Sequence, residues 1–570
     1  MYTSIDLLVF LGYFVAVVVI GLLSSRGQTA SVGGYFRGGN RLPYYAIGLS
    51  IVAAGISSEQ FVGEMGYAYK LGMPVVNWEW LVFPALSILL WIFVPLYVRN
   101  RITTMPEYLE ERLGPSVRTL YAWLSVASYV FVNFALVFYT GGLALEAMWG
   151  AWGVDRLTAV WVMAAVTGLY TVYGGLSAVA WTSSFQCILL LGGGLFTFFA
   201  GMAKIGWDFQ AVLGTGQRAH LMTPADHGEV PWTAFLILAL STNVWYYATN
   251  QYINQRCLAA RDEWHAKMGV LLAGGLQLLI PLATCFPGMV YRVINPNLED
   301  INLAYPEVVA AVVPVGLRGL VAAAVVGAIM STISGLVNST STIVTLDIVG
   351  RSFGRGWSED RLVRVGRWSG ALALLIGAAI APLVMRWESI FRYAQEIWAP
   401  MAAPVVVVFL CAALWKNVHS RGALACLWLA VLTVPLSITR GLLADANVHF
   451  LPPNLENPLV LAGAISLISW AMMGLLVGRR SGAREGALTA VTCIPILLVA
   501  ALSPTVTAIF VAGAMLVFVG APLLKKTLPR PGMWDQSMLR SGATVRWYAS
   551  VWTWWVVLAV ILTGLYAWFW

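Results

Sequence analysis

The stretch Ile51 to Ala68, IVAAGISSEQFVGEMGYA, sets Gly55, Ser57, Ser58, Glu59 and Gln60 inside an otherwise apolar run. Gly and Ser alone would serve helix packing, because they let backbones approach closely. Glu59 and Gln60 change that reading, since an ionisable or strongly polar side chain at membrane depth is costly unless it is paired, wet or functional. Gly55 within such a cluster implies local unwinding, and the carbonyls this frees are tolerated at depth only where they line a cavity. Carbonyls, hydroxyls, an amide and a carboxylate are oxygen ligands for a hard cation and hydrogen-bond partners for a polar solute. Later runs hold more of the same chemistry. Glu79 lies in NWEWLVF; Asn243, Tyr246, Asn250 and Gln251 in STNVWYYATNQYINQR; Gln277 in LLAGGLQLLIP; and Gln395 and Glu396 in FRYAQEIWAP. In GAIMSTISGLVNSTSTIV, Ala328, Ser331 and Thr332 fall at i, i+3 and i+4, on one helical face. Singly, Asn250, Gln251 and Glu396 read as interhelical hydrogen bonds. Together, these residues are too many for packing.

The elements that position them follow from composition. Of 570 residues, 59% are hydrophobic and only 11% charged, with 26 Trp, and the mean hydropathy is +0.77. A soluble domain carries about a quarter charged residues. Apolar runs of helix-spanning length, about 20 residues each, succeed one another from Ile5 to Trp570, predicting an all-α polytopic membrane protein. We place spans at 4–24, 44–66, 76–98, 117–148, 157–175, 178–203, 230–253, 267–291, 308–346, 365–386, 390–414, 421–441, 457–477, 486–503, 505–523 and 546–569. The pair within 486–523 reads as an extra hairpin.

The net charge of +8 reflects orientation rather than nucleic-acid binding. With loops assigned alternately, about three quarters of the Lys and Arg fall on one side, including Arg99, Arg256, Lys267 and the run 351–367, and that side is cytoplasmic. Both termini then lie outside the cell membrane. Gly33 to Asn40, GGYFRGGN, lacks the Lys-Ser/Thr ending of a phosphate loop and reads as a turn. The sequon at Asn338 falls within a span and is no glycan acceptor. The six Cys have no metal-ligand spacing and read as small core residues.

The ordered segments AAGISSEQFVG, MPEYLEERLG, YTVYGGLSAVAWT, NQYINQRCLAA, PVGLRGLVAAAVVGAIMSTISGLVNSTSTIVTLDI and YAQEIWAPMAAPVVVVFLCAALWK resemble the sodium/solute symporter family in its sodium/galactose and sodium/glucose branch. The resemblance runs from about Ile5 to Asn417 and resumes in the last span. It implies a LeuT-like inverted repeat of two five-helix units, 44–203 and 230–414. The N-terminal extra span and loop (1–43) precede them and accessory spans (421–570) follow, with binding sites near the midplane at broken helices. It also implies sodium as the coupling ion, held by the carbonyls of Ala53, Ile56 and Ala328 and the hydroxyls of Ser331 and Thr332. Positions matching the family's galactose contacts are Gln60, Glu79, Asn243 and Gln395, with Tyr246 as the aromatic that closes the cytoplasmic side.

The sequence departs from the galactose transporter pattern at several positions. Gly55 stands in place of Asn, Gln277 of Lys, Val82 of Ser, Trp78 of Tyr and Tyr247 of Trp. Ser183 stands where the family often has Asp. The expected function is sodium-coupled symport of a neutral sugar. Myo-inositol, sialic acid, proline or an anion is the alternative cargo, and a transporter-like sensor a remoter one. The expected partners are the sugar, sodium and the bilayer, with no nucleic acid and no obligate protein partner. No nucleophile, base and orienting group occur together, so an enzyme is not expected.

Overall fold

The computed structural model describes residues 3–27, 31–57, 59–354, 356–386, 390–445, 451–475, 503–516, 532–539 and 546–570. Among these the chain is helical throughout, and the β feature present is one isolated bridge, Leu42 to Ala260. The helices are α1 (Ser4–Ser24), α2 (Tyr44–Gly55), α3 (Gln60–Leu71), α4 (Met73–Arg99), α5 (Pro115–Trp152), α6 (Arg156–Lys204), α7 (232–249), α8 (Gln251–Leu258), α9 (Glu263–Gln277) and α10 (Ile280–Ile294). They continue as α11 (Leu317–Ser352), α12 (Glu359–Leu383), α13 (Ile390–Leu414), α14 (Ser420–Asp445), α15 (Pro458–Leu475), α16 (Pro504–Met515) and α17 (Val551–Phe569). Ten of these runs are long and apolar enough to cross a membrane. Two bent pairs, α2 with α3 at 59° and α9 with α10 at 45°, raise the number to 12.

The breaks have local causes. The two spans expected at 157–175 and 178–203 form one run with a sharp turn at Gly175 (φ 61, ψ −160), a conformation open to glycine and closed to most residues. The run expected at 308–346 divides at Gly316 (φ 91), with a separate helix Ala304–Val312 before it. GGYFRGGN forms a short helix, Val32–Arg37, before its glycine turn at Gly38 and Gly39. The span expected at 230–253 ends at Asn250 and includes two wide π turns, Leu238–Thr242 and Trp245–Thr249. Of the hairpin expected at 486–523, Pro504–Met515 is helical, while 486–502 and 517–523 lie outside the described residues.

Two basic residues assigned to loops are corrected. Arg256, on α8, is fully buried against α2, its Nε donating to Ser50 Oγ at 2.5 Å. The Lys267 side chain is also buried; its Nζ reaches Glu263 at 2.8 Å and the Met538 carbonyl at 2.9 Å. Segment 532–539 thus seals one end of the bundle: Trp534 donates its amide to Ala413 O at 3.0 Å and its indole N–H to Trp91 O at 2.8 Å. At that end, Arg118 ties Glu110 (2.5 Å) to Asp347 (2.6 Å). Arg351, hydrogen-bonded to Glu110, holds its carboxyl below the usual range. The five described Cys are buried and unbridged, and Asn338 is buried against Gln255.

α1 is clamped to α11 by one carboxylate. Asp6 Oδ2 caps its own helix through Thr3, while Oδ1 accepts the N–H groups of Gly316 (2.8 Å) and Gly319 (3.0 Å), which the start of α11 would otherwise leave unpaired. A Cβ at Gly319 would strike the Asp6 backbone, whereas one at Gly12 would meet nothing within 4 Å. Gly319→Ala therefore destabilises the protein by about 1–3 kcal/mol and lowers its melting temperature in detergent by several degrees. Gly12→Ala leaves the melting temperature unchanged or raises it. Equal melting of both variants would disprove the clamp.

Candidate functional site

At the end of α2, Ile56 takes extended backbone (φ −111, ψ 122), so the carbonyls before it lose the amides that a continuous helix would supply. Side chains take over part of that role. Gln60 Oε1 accepts the Ser57 amide at 2.8 Å, and Gln60 Nε2 and the Tyr246 hydroxyl each donate to Gly55 O at 3.4 Å. From α11, Thr332 Oγ1 lies 3.3 Å from Ala54 O and 3.3 Å from Ala328 O. Thr332, Ala328 and the end of α2, which carries Ala53 and Ile56, are thus brought together, all five expected sodium ligands being buried. Ser331 turns towards α6, where its hydroxyl donates to Ser183 Oγ at 2.7 Å. Ser183, the position at which the resemblance leads to an expected Asp, thus holds a neutral hydroxyl pair with Ser331.

The second break, at Asn250 (ψ 132), is satisfied by tyrosines. Tyr97 and Tyr121 donate to the carbonyls of Ala248 (3.1 Å) and Thr249 (2.9 Å). Tyr129 donates to Asn250 Oδ1 at 2.8 Å and accepts the Gln251 amide at 3.1 Å. Gln251 also accepts the Met105 amide at 2.8 Å, and Glu396 lies 3.6 Å from Arg440. For Asn250, Gln251 and Glu396 the interhelical reading therefore holds. Tyr121, Ser125, Tyr129, Trp245, Asn250 and Met401 enclose a small cavity beside this break.

Between the breaks lie the remaining expected residues. The Tyr246 ring sits 5.1 Å from that of Tyr247, 5.6 Å from Tyr252 and 5.9 Å from Trp398, forming an aromatic floor. The Tyr247 hydroxyl lies 2.7 Å from where a Cβ on Gly55 would stand, so the glycine is what admits this tyrosine. Trp78 packs edge-on against Phe235 with ring centroids 5.5 Å apart. Gln277 Nε2 donates to Glu79 Oε2, so Gln277, which stands in place of the expected Lys, still meets the carboxylate. Asn243 Nδ2 and Gln395 Oε1 are buried with no hydrogen-bond partner among the described residues. Such atoms call for a polar guest or water. α13, which carries Gln395, packs along the 59–64 turn and both π turns of α7.

Sequence reasoning missed Glu64. It is fully buried, with the Cys285 thiol 3.9 Å from its Oε2. The signal was present, since Glu64 follows Gln60 by four residues on an apolar helix. The tyrosine partners of α7 were also missed, and nothing in their local sequence marks them.

The family model described as sodium:solute symporter family matches residues 35–430. The chain belongs to this family. It is 33% identical over 451 residues to a sodium/glucose cotransporter of Vibrio parahaemolyticus, covering 74% of this chain and 82% of that protein. It is 32% identical over 467 residues to a sodium/myo-inositol cotransporter of Mus musculus, covering 73% of this chain and 64% of that longer protein. Among solved structures, it matches a substrate-bound, outward-open Na+-coupled sialic acid symporter with a TM-score of 0.67 and 21% identity, covering 79% of this chain and 99% of the other. The symporter thus has the LeuT-like inverted-repeat architecture, is a multi-pass membrane protein rather than an enzyme, and uses sodium as its coupling ion.

Proposed function

We propose that this symporter carries a neutral sugar or cyclitol of hexose size into the cell, through repeats at 44–203 and 230–414 that alternate access around the two breaks. The observation that carries this reading is that Asn243 Nδ2 and Gln395 Oε1 are buried with no hydrogen-bond partner among the described residues. With Gln60 and the hydrogen-bonded Glu79 and Gln277 they would form a polar rim of amides and one carboxylate, a set that offers both donors and acceptors and includes no Lys or Arg to balance an anionic solute. Tyr246 would close the cytoplasmic side beneath the ring, with Trp78 and Tyr247 beside it. The relatives named for glucose and myo-inositol support the same class.

In this cycle, sodium enters from outside and bridges the carbonyls of Ala53, Ile56 and Ala328 to the hydroxyls of Ser331 and Thr332, stabilising the form in which the rim is aligned. Neutral oxygens suit a hard monovalent ion and do not titrate. Solute binding then favours closure, and Tyr246 swings aside for release. One charge crossing 100 mV contributes about 2.3 kcal/mol and a tenfold sodium gradient about 1.4 kcal/mol. One ion can therefore sustain accumulation of several hundredfold. Both termini face outward in this scheme, because the basic loops face the cytoplasm.

The test is uptake into proteoliposomes, with and without an inward sodium gradient, of galactose, glucose, fucose, myo-inositol, proline and sialic acid. A neutral polyol carried best, and only with sodium, is the expected outcome. Preference for sialic acid or proline would overturn the substrate class and leave sodium symport standing.

A further inference from the structure

We infer that the Arg256 guanidinium is the barrier on the sodium route: it fills the seam between α2 and α11 just beyond the ion's ligands and must withdraw before the ion can leave. This rests on the reading of Ala53, Ile56, Ala328, Ser331 and Thr332 as those ligands. Arg256 comes from α8, which starts at the second break. Its Nε donates to Ser50 Oγ of α2 at 2.5 Å, and its Nη1 donates to the Tyr252 carbonyl. On α11, a Cβ at Gly335 would stand 3.2 Å from Nη2 and 3.7 Å from Nη1, so the glycine is what admits the guanidinium. α8 is stitched to the same point: Gln255 Nε2 donates to Gly335 O at 3.3 Å, and Asn338 Nδ2 donates to Gln255 Oε1 at 2.8 Å.

Register places the charge relative to the ion. α2 and α11 meet where Thr332 Oγ1 lies against Ala54 O. Ser50 precedes Ala53 by three residues and Gly335 follows Thr332 by three, so the guanidinium lies about one turn, roughly 5 Å along each helix, beyond the ligands. It lies towards the start of α2, the side that the basic loops assign to the cytoplasm. Arg256 is 0% exposed, its hydrogen bonds go to a hydroxyl and a carbonyl, and Nη2 has no partner among the described residues. A guanidinium keeps its charge in any surroundings, and here no carboxylate balances it. Repulsion grows as two charges approach, so this charge penalises sodium in the seam more than sodium on its ligands. A movement of α8 at the second break withdraws the arginine from both helices at once and opens the route.

The test needs no solute. Proteoliposomes loaded with radioactive sodium are diluted into sodium-free buffer, and efflux is compared in wild type, Arg256→Gln, which removes the charge, and Arg256→Lys, which keeps it. Arg256→Gln should lose sodium about tenfold faster than the wild type, and Arg256→Lys at close to the wild-type rate. In purified protein, the sodium concentration that gives half of the ion's thermal stabilisation should fall about three- to tenfold in Arg256→Gln, because the repulsion is gone. An arginine that merely held helices together would shift that concentration the other way when lost. Should Arg256→Gln fail to insert, Ser50→Ala, which frees the Nε anchor, carries the test and should also speed efflux. Wild-type efflux in the variant that carries the test, equal efflux in the Gln and Lys variants, or a raised sodium requirement in Arg256→Gln would overturn the barrier. Faster efflux in Arg256→Gln, with sodium activation untouched by Thr332→Ala, keeps Arg256 on the route and sinks the ligand set instead.

Discussion

Replacing Thr332 by Ala raises the sodium concentration for half-maximal uptake by about tenfold to a hundredfold. Thr332 Oγ1 stands between Ala54 O on α2 and Ala328 O on its own helix, so it is the hydroxyl at the seam that sodium is proposed to bridge. A lost oxygen contact of this kind is worth about 1–3 kcal/mol, and each 1.4 kcal/mol is tenfold in affinity. Ser331→Ala shifts the curve in the same direction but also releases Ser183 from the hydroxyl pair, so Ser183→Ala is the control for that part. Thr332→Ser, which keeps the oxygen, restores most of the response. The measurement is initial uptake against sodium concentration, normalised to the amount of protein inserted. Unchanged sodium activation in both alanine variants would move the ion to other ligands.

Glu79→Ala reduces solute uptake at least tenfold to a hundredfold, with sodium activation much less affected. The truncation removes an acceptor from the rim and deprives the buried Gln277 amide of its partner, each such loss costing about 1–3 kcal/mol. Glu79→Gln keeps the shape but places an amide where Gln277 needs an acceptor, and should fall between wild type and alanine. The check is the full solute dependence of each variant at saturating sodium. If Glu79→Gln transports like the wild type, Glu79 is not a solute contact, whichever solute is carried best.

Much of this architecture was legible because the membrane imposes simple rules. Long apolar runs became helices, and the polar cluster at Gly55–Gln60 marked a break because Glu and Gln at such depth need a reason. The failures also have physical causes. Apolar runs cannot report a turn made by one glycine, so Gly316 was invisible to hydropathy, whereas the turn at Gly175 falls where one expected span ended, and Asn250 looked like an ordinary polar residue in a span. Arg256 was placed in a loop because charge predicts exposure, yet it is buried with its Nε on Ser50. The gathering of polar residues at the first break could be read from sequence. The turning of Ser331 towards Ser183 depends on helices distant in sequence and could not.

The second break was described above as a set of satisfied hydrogen bonds, but it is also a joint with a limited range of travel. Tyr97 comes from α4, and Tyr121 and Tyr129 from α5, yet all three hydroxyls end on consecutive residues, Ala248, Thr249 and Asn250. Three pins from two supports leave a rod little freedom to twist. If α8 is to tilt relative to α5, the pins must slip together or α4 must follow, because any single carbonyl left behind is stranded without water. Any rotation about the break would therefore have to exchange these three hydrogen bonds together.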